Sequence, residues 1–385
     1  MINFSKRDER IGVKHIVLFQ GVARMWQGVD LRRFWEVNEA CRDLGQDIPR
    51  VPLDMQLDGD WICDYLKLDN ARYYSDYRYQ QENRLRCSEI TKRELAYEIL
   101  PSVDFGVVMD ASIYGGTVNY TLNATPTLQP VVDHPCQIDS LVEHMATIDI
   151  LEVGLIPQYL QWRQNIERDY GIKLTYGGGM KGCATMLGQI CGITNFLTWL
   201  LTDPGQIRKL VDCWLEMSKK YIRTLRDITD YPSDRPGFAL FSDVAGMLSP
   251  ELYRDFLMPA ERELYDLFAP YPDDKRFYHA DYHMLHHLDA LGEMGVNEVN
   301  IDPYIEASQI LERLPKAVVY GQIPPTVVLL RGTPEDVADC IKRDIQQAGH
   351  TKQLVVCTAG SINPGTPFGN LRAMCYAVEA YGYVY

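Results

Sequence analysis

The ten cysteines of this 385-residue chain include no Cys-x-x-Cys pair. Residues 1–5 also lack the charged and then apolar pattern of a secretion signal. Cysteines that are scattered in this way, in a chain without a secretion signal, favour reduced thiols over a disulfide framework. We therefore expect a cytoplasmic protein in which most of the cysteines are small core residues.

Basic residues are too few for a nucleic-acid binder, and no apolar run is long enough for a membrane span. The chain has 38 Lys and Arg against 52 Asp and Glu, which gives a net charge of -14. Phosphate binding needs clustered Lys and Arg, so we expect no nucleic-acid partner. The longest apolar stretch, residues 191–201, is interrupted by Gly192, Thr194 and Asn195. It is too short to cross a bilayer.

Several catalytic motifs are missing. A triple glycine, residues 177–179, follows a predicted strand at 172–176, but it fits neither the P-loop nor the dinucleotide fingerprint. No Ser nucleophile elbow is present. His283 and His287 share one face of a predicted helix over 282–291, yet the Glu of the His-Glu-x-x-His zinc motif is absent.

The composition that remains is that of a single large globular enzyme, with 46% hydrophobic and 23% charged residues. Residues 1–48 are mixed in character and include an apolar run at 16–19 and a predicted helix at 31–44. We interpret them as an N-terminal extension that covers the main domain, residues 49–385, or contacts a second subunit in a homodimer. The Tyr-rich segment 61–100 shows no clear apolar face and is expected to be an excursion at the rim of the barrel.

Strands alternate with helices of about 10–15 residues over the main domain, and this alternation predicts a parallel sheet. Strand starts are predicted near residues 50, 104, 172, 238, 276, 298, 317 and 353. The second of these strands is expected over 104–112. Eight such units predict an α/β fold of the (β/α)8 TIM-barrel class with an N-terminal extension. Helix starts are predicted at Asp203-Pro204, Ser249-Pro250 and Thr333-Pro334.

Four of the predicted strands end in residues with useful chemistry, as the rim of a barrel active site does. His279 and Asp281 end one strand, and Cys357 ends the last one. Imidazole, carboxylate and thiolate are all zinc ligands, so these three residues are a candidate metal site. Asp243 and Asp302 end two further strands and are candidates for a general acid or for a carboxylate that orients His279.

Substrate contacts are expected from the earlier strand ends. The candidates are Asp54, Asp110, Tyr114 and Tyr176. The chain has 24 tyrosines, and a flat apolar ring with one polar atom suits the lining of an aromatic pocket. For any one tyrosine, ordinary packing remains the alternative.

The same strand ends belong to a longer pattern that runs in order through most of the chain. The matching segments are 241–246, 249–259, 279–281, 295–302, 321–325, 332–337 and 360–370, with 50–52 and 200–204 upstream. In order and spacing this pattern resembles the uroporphyrinogen decarboxylase superfamily over residues 50–382. The resemblance implies a TIM barrel with its active site at the C-terminal rim.

Two branches of that superfamily perform different reactions. The resemblance to true decarboxylases implies an Arg-Gln-Ala-Gly-Arg run after the first strand, but this chain has Gln-Leu-Asp-Gly-Asp at 56–60. The corrinoid-dependent methyltransferases form the other branch, and their coenzyme M members bind zinc through His-x-Cys and a later Gly-Cys. Here His279 is kept, Asp281 stands at the first Cys and Gly360 at the second, with Cys357 three residues earlier.

The resemblance therefore implies an enzyme that moves a methyl group from a small methylated substrate to the Co(I) of a corrinoid (cobalamin) protein. Among such substrates, the abundance of tyrosine favours a methoxylated aromatic compound. Zinc is the candidate cofactor, and a corrinoid protein is the expected partner. The alternatives are a decarboxylase acting on uroporphyrinogen or another acidic substrate, and a non-catalytic protein that binds a corrinoid protein.

Overall fold

A computed structural model describes residues 28–41, 48–232 and 237–385. The apolar run predicted at 16–19 lies outside the described residues. The helix predicted at 31–44 is present as Leu31–Ala40. Its Asn38 donates a hydrogen bond to the carbonyl of Leu53 and accepts one from the Leu53 amide, each at 2.8 Å. This helix therefore covers the first strand position, and the boundary of the extension near residue 48 stays a prediction.

Helices make up most of the described chain. The α-helices span Leu31–Ala40, Gly59–Leu66, Asn70–Ser75, Tyr77–Leu95, Met109–Ser112, Ile138–Met145, Ile156–Tyr170, Cys183–Cys191, Ile193–Thr202, Pro204–Ile228, Pro250–Leu252, Met258–Phe268, Leu288–Glu293, Ala307–Arg313, Pro334–Ala348 and Phe368–Tyr381. Short 3-10 turns span Pro135–Gln137, Ile150–Glu152, Asp243–Met247, Leu285–His287 and Gly349–Thr351, and π-turns span Tyr253–Leu257 and Pro325–Leu330. The three predicted Pro-led helix starts are confirmed.

In the described parts of the chain, the strands form one hairpin and one parallel sheet. The hairpin joins β1 (Val118–Thr121) to β2 (Ala124–Leu128). The sheet has the order β3-β4-β5-β6-β7-β8. Its strands are β3 (Gly179–Lys181), β4 (Gly237–Phe241), β5 (Lys275–Ala280), β6 (Glu298–Ile301), β7 (Val318–Ile323) and β8 (Leu354–Thr358). The last five strands lie where the sequence predicts them.

The first strand position closes against the last. A parallel bridge joins Leu53 to Val356, and the Asp54 amide donates to the Val356 carbonyl at 2.9 Å. Sequential parallel strands, each followed by helix, with the first beside the last, form an α/β barrel of the TIM class. The predicted fold class is confirmed, although the regular ladder covers β3–β8 rather than eight complete strands.

Two of the predicted strands are wrong. The segment 104–108 makes turns because the Asp104 carboxylate accepts a hydrogen bond from the amide of Gly106, two residues on. Such Asx turns compete with extended structure. A short helix, Met109–Ser112, follows at once. The strand predicted at 172–176 lies later, at Gly179–Lys181.

The segment 61–100, predicted as an excursion at the rim, is mainly helical. Three carboxylates, Asp58, Asp69 and Asp76, cap successive helices by accepting a hydrogen bond from the amide three residues on. The long helix Tyr77–Leu95 has no apolar face to find, because its buried face is mainly polar. Gln80 and Arg84, for example, donate to the backbone carbonyls of residues 104 and 100. Hydrogen bonds to loop carbonyls replace apolar packing there.

Small residues leave the barrel interior open on one side. Phe241 lines the interior, and side chains alternate along a strand, so Ala239 and Gly237 share its face. On the neighbouring strand, a Cβ added to Gly179 would lie 2.7 Å from the Cβ of Ala239. TIM barrels are usually filled here by bulky branched side chains. The open space becomes the floor of the cavity described below.

No single helix among the described residues has both the length and the apolarity for a membrane span. The pair Cys183–Cys191 and Ile193–Thr202 reaches both only when taken together, and it is bent by 104°.

Candidate active site

A cavity of about 740 Å³ opens at the carboxyl ends of the barrel strands. It extends from the rim residues of β5 and β8 down to Glu298 and Phe277 inside the barrel. In TIM barrels this rim is where catalytic groups converge. The cavity brings together most of the strand-end residues that the sequence singles out.

His279 is held in one tautomer by Asn300. The Asn300 amide nitrogen donates to the carbonyls of Tyr320 at 2.7 Å and Thr358 at 2.8 Å, which leaves its oxygen facing His279. That oxygen lies 2.8 Å from His279 Nδ1 and also accepts from the Gly360 amide at 3.1 Å. His279 Nδ1 must therefore carry the proton, and the lone pair of the neutral ring lies on Nε2.

The Nε2 lone pair faces two carboxylates. His279 Nε2 is 3.4 Å from Asp281 Oδ1 and 3.8 Å from Asp243 Oδ1. The Asp243 carboxylate is itself fixed by the amide of Asp281, which donates to it at 2.8 Å. A lone pair and two anionic oxygens that converge on one point need a cation between them, either a proton or a metal ion.

The three groups fit a zinc ion. Their ligand atoms all lie within 4.8 Å of one another. Tetrahedral zinc, with ligands at about 2.0–2.1 Å, places neighbouring ligand atoms roughly 3.3–3.5 Å apart. Two of the measured separations, 3.4 and 3.8 Å, are close to that value. One nitrogen and two carboxylate oxygens also leave a fourth position open, as catalytic zinc sites do.

The same cluster perturbs Asp281. Loss of bulk water inside the cavity raises the pKa of Asp281, and the Asp243 carboxylate adds to this effect, while His279 opposes it. When no metal is bound, Asp281 therefore holds a proton up to a higher pH than an ordinary exposed aspartate does.

Gly360 makes room for Asp281. Gly360 has a φ of +102°, and a Cβ at this position would lie 2.4 Å from Asp281 Oδ1. A side chain at 360 and the carboxylate of Asp281 cannot occupy the same space. The carboxylate at residue 281 can therefore take this position only because residue 360 has no side chain.

Cys357 lines the cavity but is not part of the group that can hold a metal. Its Sγ donates to the Thr358 carbonyl at 3.2 Å, and burial raises the pKa of the thiol. The third candidate metal ligand is therefore Asp243, and not Cys357 as the sequence predicts.

Asp302 lies away from His279. Its carboxylate is 2.5 Å from His283 Nδ1, its side chain is buried, and it is not part of the cavity lining. The group that orients His279 is Asn300. His283 precedes the turn Leu285–His287 and the helix Leu288–Glu293, so it does not share a helical face with His287 as expected.

Three of the four predicted substrate contacts line the cavity, namely Asp54, Asp110 and Tyr176. Tyr114 does not, because it is only 1% exposed within the core. Asp110 is bound to Lys181, whose Nζ lies 2.5 Å from Asp110 Oδ1 and whose amide donates to Oδ2 at 2.8 Å.

Several cavity residues were missed from the sequence. They are Asp58, Lys181, Phe241, Phe277, Glu298, Asn300 and Tyr320. Three of them, Phe277, Asn300 and Tyr320, lie inside strands rather than at strand ends. Alternation gives a signal for two of the seven: Phe241 and Phe277 are each two residues before a predicted rim residue, Asp243 or His279, so each shares a face with it. Asp58 had no such signal.

Comparisons with known proteins agree with this fold. Methylcobamide:CoM methyltransferase MtbA of Methanosarcina acetivorans is 21% identical over 325 residues, which cover 82% of this chain and 89% of that protein. A uroporphyrinogen decarboxylase of Prochlorococcus marinus is 31% identical over 135 residues, which cover 34% of this chain and 37% of that enzyme.

A solved structure, a methyltransferase from Methanosarcina mazei, has a TM-score of 0.68 and 17% sequence identity. The match covers 89% of this chain and 98% of that one, and it supports the barrel fold. The uroporphyrinogen decarboxylase (URO-D) family matches residues 38–381. The chain therefore belongs to the uroporphyrinogen decarboxylase family.

Proposed function

We propose that this protein removes a methyl group from a small methylated substrate, with a methoxylated aromatic compound favoured, and passes it to the Co(I) of a corrinoid protein. The observation that carries the proposal is the His279 Nε2 lone pair facing two carboxylates at 3.4 and 3.8 Å inside a large cavity. The relative named methylcobamide:CoM methyltransferase, matched over 82% of the chain, supports the reaction class.

In this reaction the O–CH₃ bond breaks and a Co–CH₃ bond forms. Co(I) supplies both electrons of the new bond and becomes Co(III), and the ether oxygen leaves with the pair that bound the methyl group. The leaving phenolate needs a cation or a proton. The enzyme accelerates the transfer by stabilising the negative charge that develops on this oxygen.

His279, Asp243 and Asp281 are the residues that would hold zinc, which would supply Lewis-acid stabilisation of the leaving oxygen. Asn300 keeps His279 Nε2 free to bind by holding the proton on Nδ1. Without a metal, Asp281 is the proposed proton donor, because burial and Asp243 raise its pKa.

Uroporphyrinogen decarboxylation is a poor fit to the cavity. A polyacidic substrate would need Arg and Lys, yet the cavity lining of the described residues contains no Arg and one Lys, Lys181, which is already paired with Asp110. A decarboxylase of another acidic substrate meets the same objection. The cytoplasmic location and a homodimer remain predictions.

The test follows the absorbance of cob(I)alamin in the presence of guaiacol, a neutral aryl methyl ether, together with a zinc determination on the purified protein. We expect Co(I) to be consumed, with methylcobalamin and catechol formed in equal amounts. His279→Ala should abolish the reaction and the bound zinc while keeping the circular-dichroism spectrum. His283→Ala is the matched control, since His283 pairs with Asp302 outside the cavity.

A protein that only binds a corrinoid partner would give no methylcobalamin, and His279→Ala would leave its binding unchanged. Absence of bound zinc and of turnover with every methyl ether tried would refute the proposed reaction.

A further inference from the structure

The cavity contains more carboxylate side chains than one metal ion would bind. Among the described residues, its carboxylates belong to Asp54, Asp58, Asp110, Asp243, Asp281 and Glu298, and its Lys and Arg side chains to Lys181 alone. A low-dielectric cavity of one sign attracts ligands of the opposite sign and repels those of the same sign.

Four of these carboxylates have cations assigned to them. Asp110 is paired with Lys181, and Glu298 is paired with Lys275 at 3.1 Å. Asp243 and Asp281 belong to the proposed zinc site. Asp54 and Asp58 remain, and within the part of the chain that the structure describes neither has a Lys, Arg or His nitrogen within 4 Å. Two anionic groups are thus left for the ligand.

Part of the cavity wall is aromatic. Phe241, Phe277 and Tyr320 form a continuous row, with ring centroids 6.1 and 5.7 Å apart. Phe241 is 41% exposed although it lines the interior of the cavity. An aromatic face left open to solvent in this way is a surface that a ligand can cover.

Tyr320 joins the aromatic row to the acidic groups. Burial raises the pKa of its hydroxyl, and the nearby carboxylates of Glu298 and Asp54 raise it further. Asp54 follows Leu53, which pairs with Val356 of β8, and Tyr320 pairs with the adjacent Val355, so Asp54 lies two strands from the end of the row. Aromatic faces beside carboxylates are the usual surroundings of alkylammonium groups in proteins.

We propose that the methyl donor carries a positively charged nitrogen, an ammonium group that lies between the aromatic row and the carboxylates of Asp54 and Asp58. This inference rests on the proposed function and narrows its substrate to aryl methyl ethers with a cationic amine. Anionic donors and anionic methyl acceptors, such as carboxylates and sulfonates, are excluded by the same charges.

The experiment compares three ethers that differ only in charge: 3-methoxybenzylamine, 3-methoxybenzyl alcohol and 3-methoxybenzoate. Methyl transfer to cob(I)alamin and binding to the zinc-loaded protein by calorimetry are both measured. We expect the amine to bind and react at least tenfold better than the alcohol, and the benzoate to be the poorest. Equal or better binding of the alcohol or the benzoate overturns the inference but leaves the methyl-transfer reaction standing.

Substitutions test whether Asp54 is responsible for the preference for a cationic ligand. Asp54→Asn should reduce amine binding about tenfold and leave alcohol binding unchanged. Asp339→Asn, on the exposed face of the helix Pro334–Ala348, is the matched control and should change neither. If no ether reacts, the reaction proposal fails, while calorimetry still decides the charge preference. An unchanged amine affinity in Asp54→Asn overturns the placement.

Discussion

Two walls of the cavity satisfy their polar groups in opposite ways. The strand wall, made of His279, Asp281, Asn300 and Cys357, is joined by hydrogen bonds and close contacts within the wall and to Asp243. The loop wall is made of Asp54 and Asp58 in a loop and Asp110 in the short helix Met109–Ser112; among the described residues, it has a cationic partner only at Asp110. The strand wall is preorganised for one geometry, whereas the loop wall is left with charge to be neutralised.

Under the proposed function, this difference separates the groups that would act on the reacting bond from the groups that would select the substrate. Groups that act on a reacting bond need fixed positions, and β5, β6 and β8 supply them. Groups that select a substrate need unsatisfied charge facing an open space, and loops after the first strand positions supply it. Changes in the strand wall should therefore alter metal binding and rate, and changes in the loop wall should alter stability and substrate preference.

The largest expected effect tests the one paired carboxylate of the loop wall. Lys181→Met leaves the buried Asp110 carboxylate without its cation, although the backbone amides of residues 111 and 181 still donate to it. We expect the free energy of unfolding, measured in urea, to fall by about 3 kcal/mol. Lys181→Met combined with Asp110→Asn should recover most of this loss. A single variant as stable as the wild type would mean that water already screens the pair.

In the strand wall, comparing Asn300→Leu with Asn300→Asp distinguishes the effect of Asn300 on the His279 tautomer from its effect on packing. Both lose the amide that donates to the carbonyls of Tyr320 and Thr358, but only Asp can still accept the His279 Nδ1 proton. We expect Asn300→Leu to weaken zinc binding by about 10–100-fold, and Asn300→Asp to weaken it much less. The ¹⁵N chemical shifts of the His279 ring report the tautomer. Equal zinc affinities and equal shifts in the two variants would rule out a positioning role.

A smaller effect is expected at Gly360. Gly360→Ala places a Cβ against Asp281 Oδ1 in a residue with φ of +102°, so stability should fall by about 1–2 kcal/mol and zinc binding should weaken. Gly369→Ala is the matched control, because a Cβ there meets nothing within 4 Å and Gly369 lies in the helix Phe368–Tyr381. That variant should be neutral or slightly more stable. Unchanged zinc binding in Gly360→Ala would show that Asp281 is free to move.

The smallest effect concerns pH and the loop wall. Burial and the carboxylates of Asp104 and Asp60 raise the pKa of Asp58 to about 6, while hydrogen bonds from the Trp61 amide and Ser361 oppose the shift. Asp58 therefore gains a proton and loses its charge as the pH falls through 6, while an alkylammonium ligand stays protonated. Calorimetry should show 3-methoxybenzylamine binding weakening severalfold between pH 7.5 and 5.5.

Asp58→Asn keeps the helix cap and should flatten this dependence, because Asn caps helices about as well as Asp. A slope that persists in this variant would assign the titration to another group of the cavity.

The sequence predicts the strand wall better than the loop wall for a physical reason. The runs that become β4–β8 are short and apolar, and most of them end in polar residues with useful chemistry, so the rim residues His279, Asp243 and Asp281 could be named. Asn300 was not predicted, because its role depends on hydrogen bonds to the carbonyls of two other strands. Asp302 was misassigned because its partner, His283, comes from a loop rather than from a helix.

The N-terminal half could not be predicted as well, because its elements are held by polar contacts. The helix Tyr77–Leu95 buries Gln80, Gln81 and Arg84, which bind loop carbonyls, so the apolar period that reveals a helix is absent. Three aspartate caps mark the helix starts, but a single carboxylate in a Tyr-rich segment is a weak signal on its own.

The hollow interior beside β3 and β4 has a consequence for how this enzyme would diversify. Below the rim, the cavity is lined on this side by Gly179, which has no side chain and lies against Ala239 of β4. One or two added methyl groups on β4 would raise the floor and shorten the longest molecule that fits. The length of the accepted substrate can thus evolve in small steps without disturbing the groups that carry out the reaction.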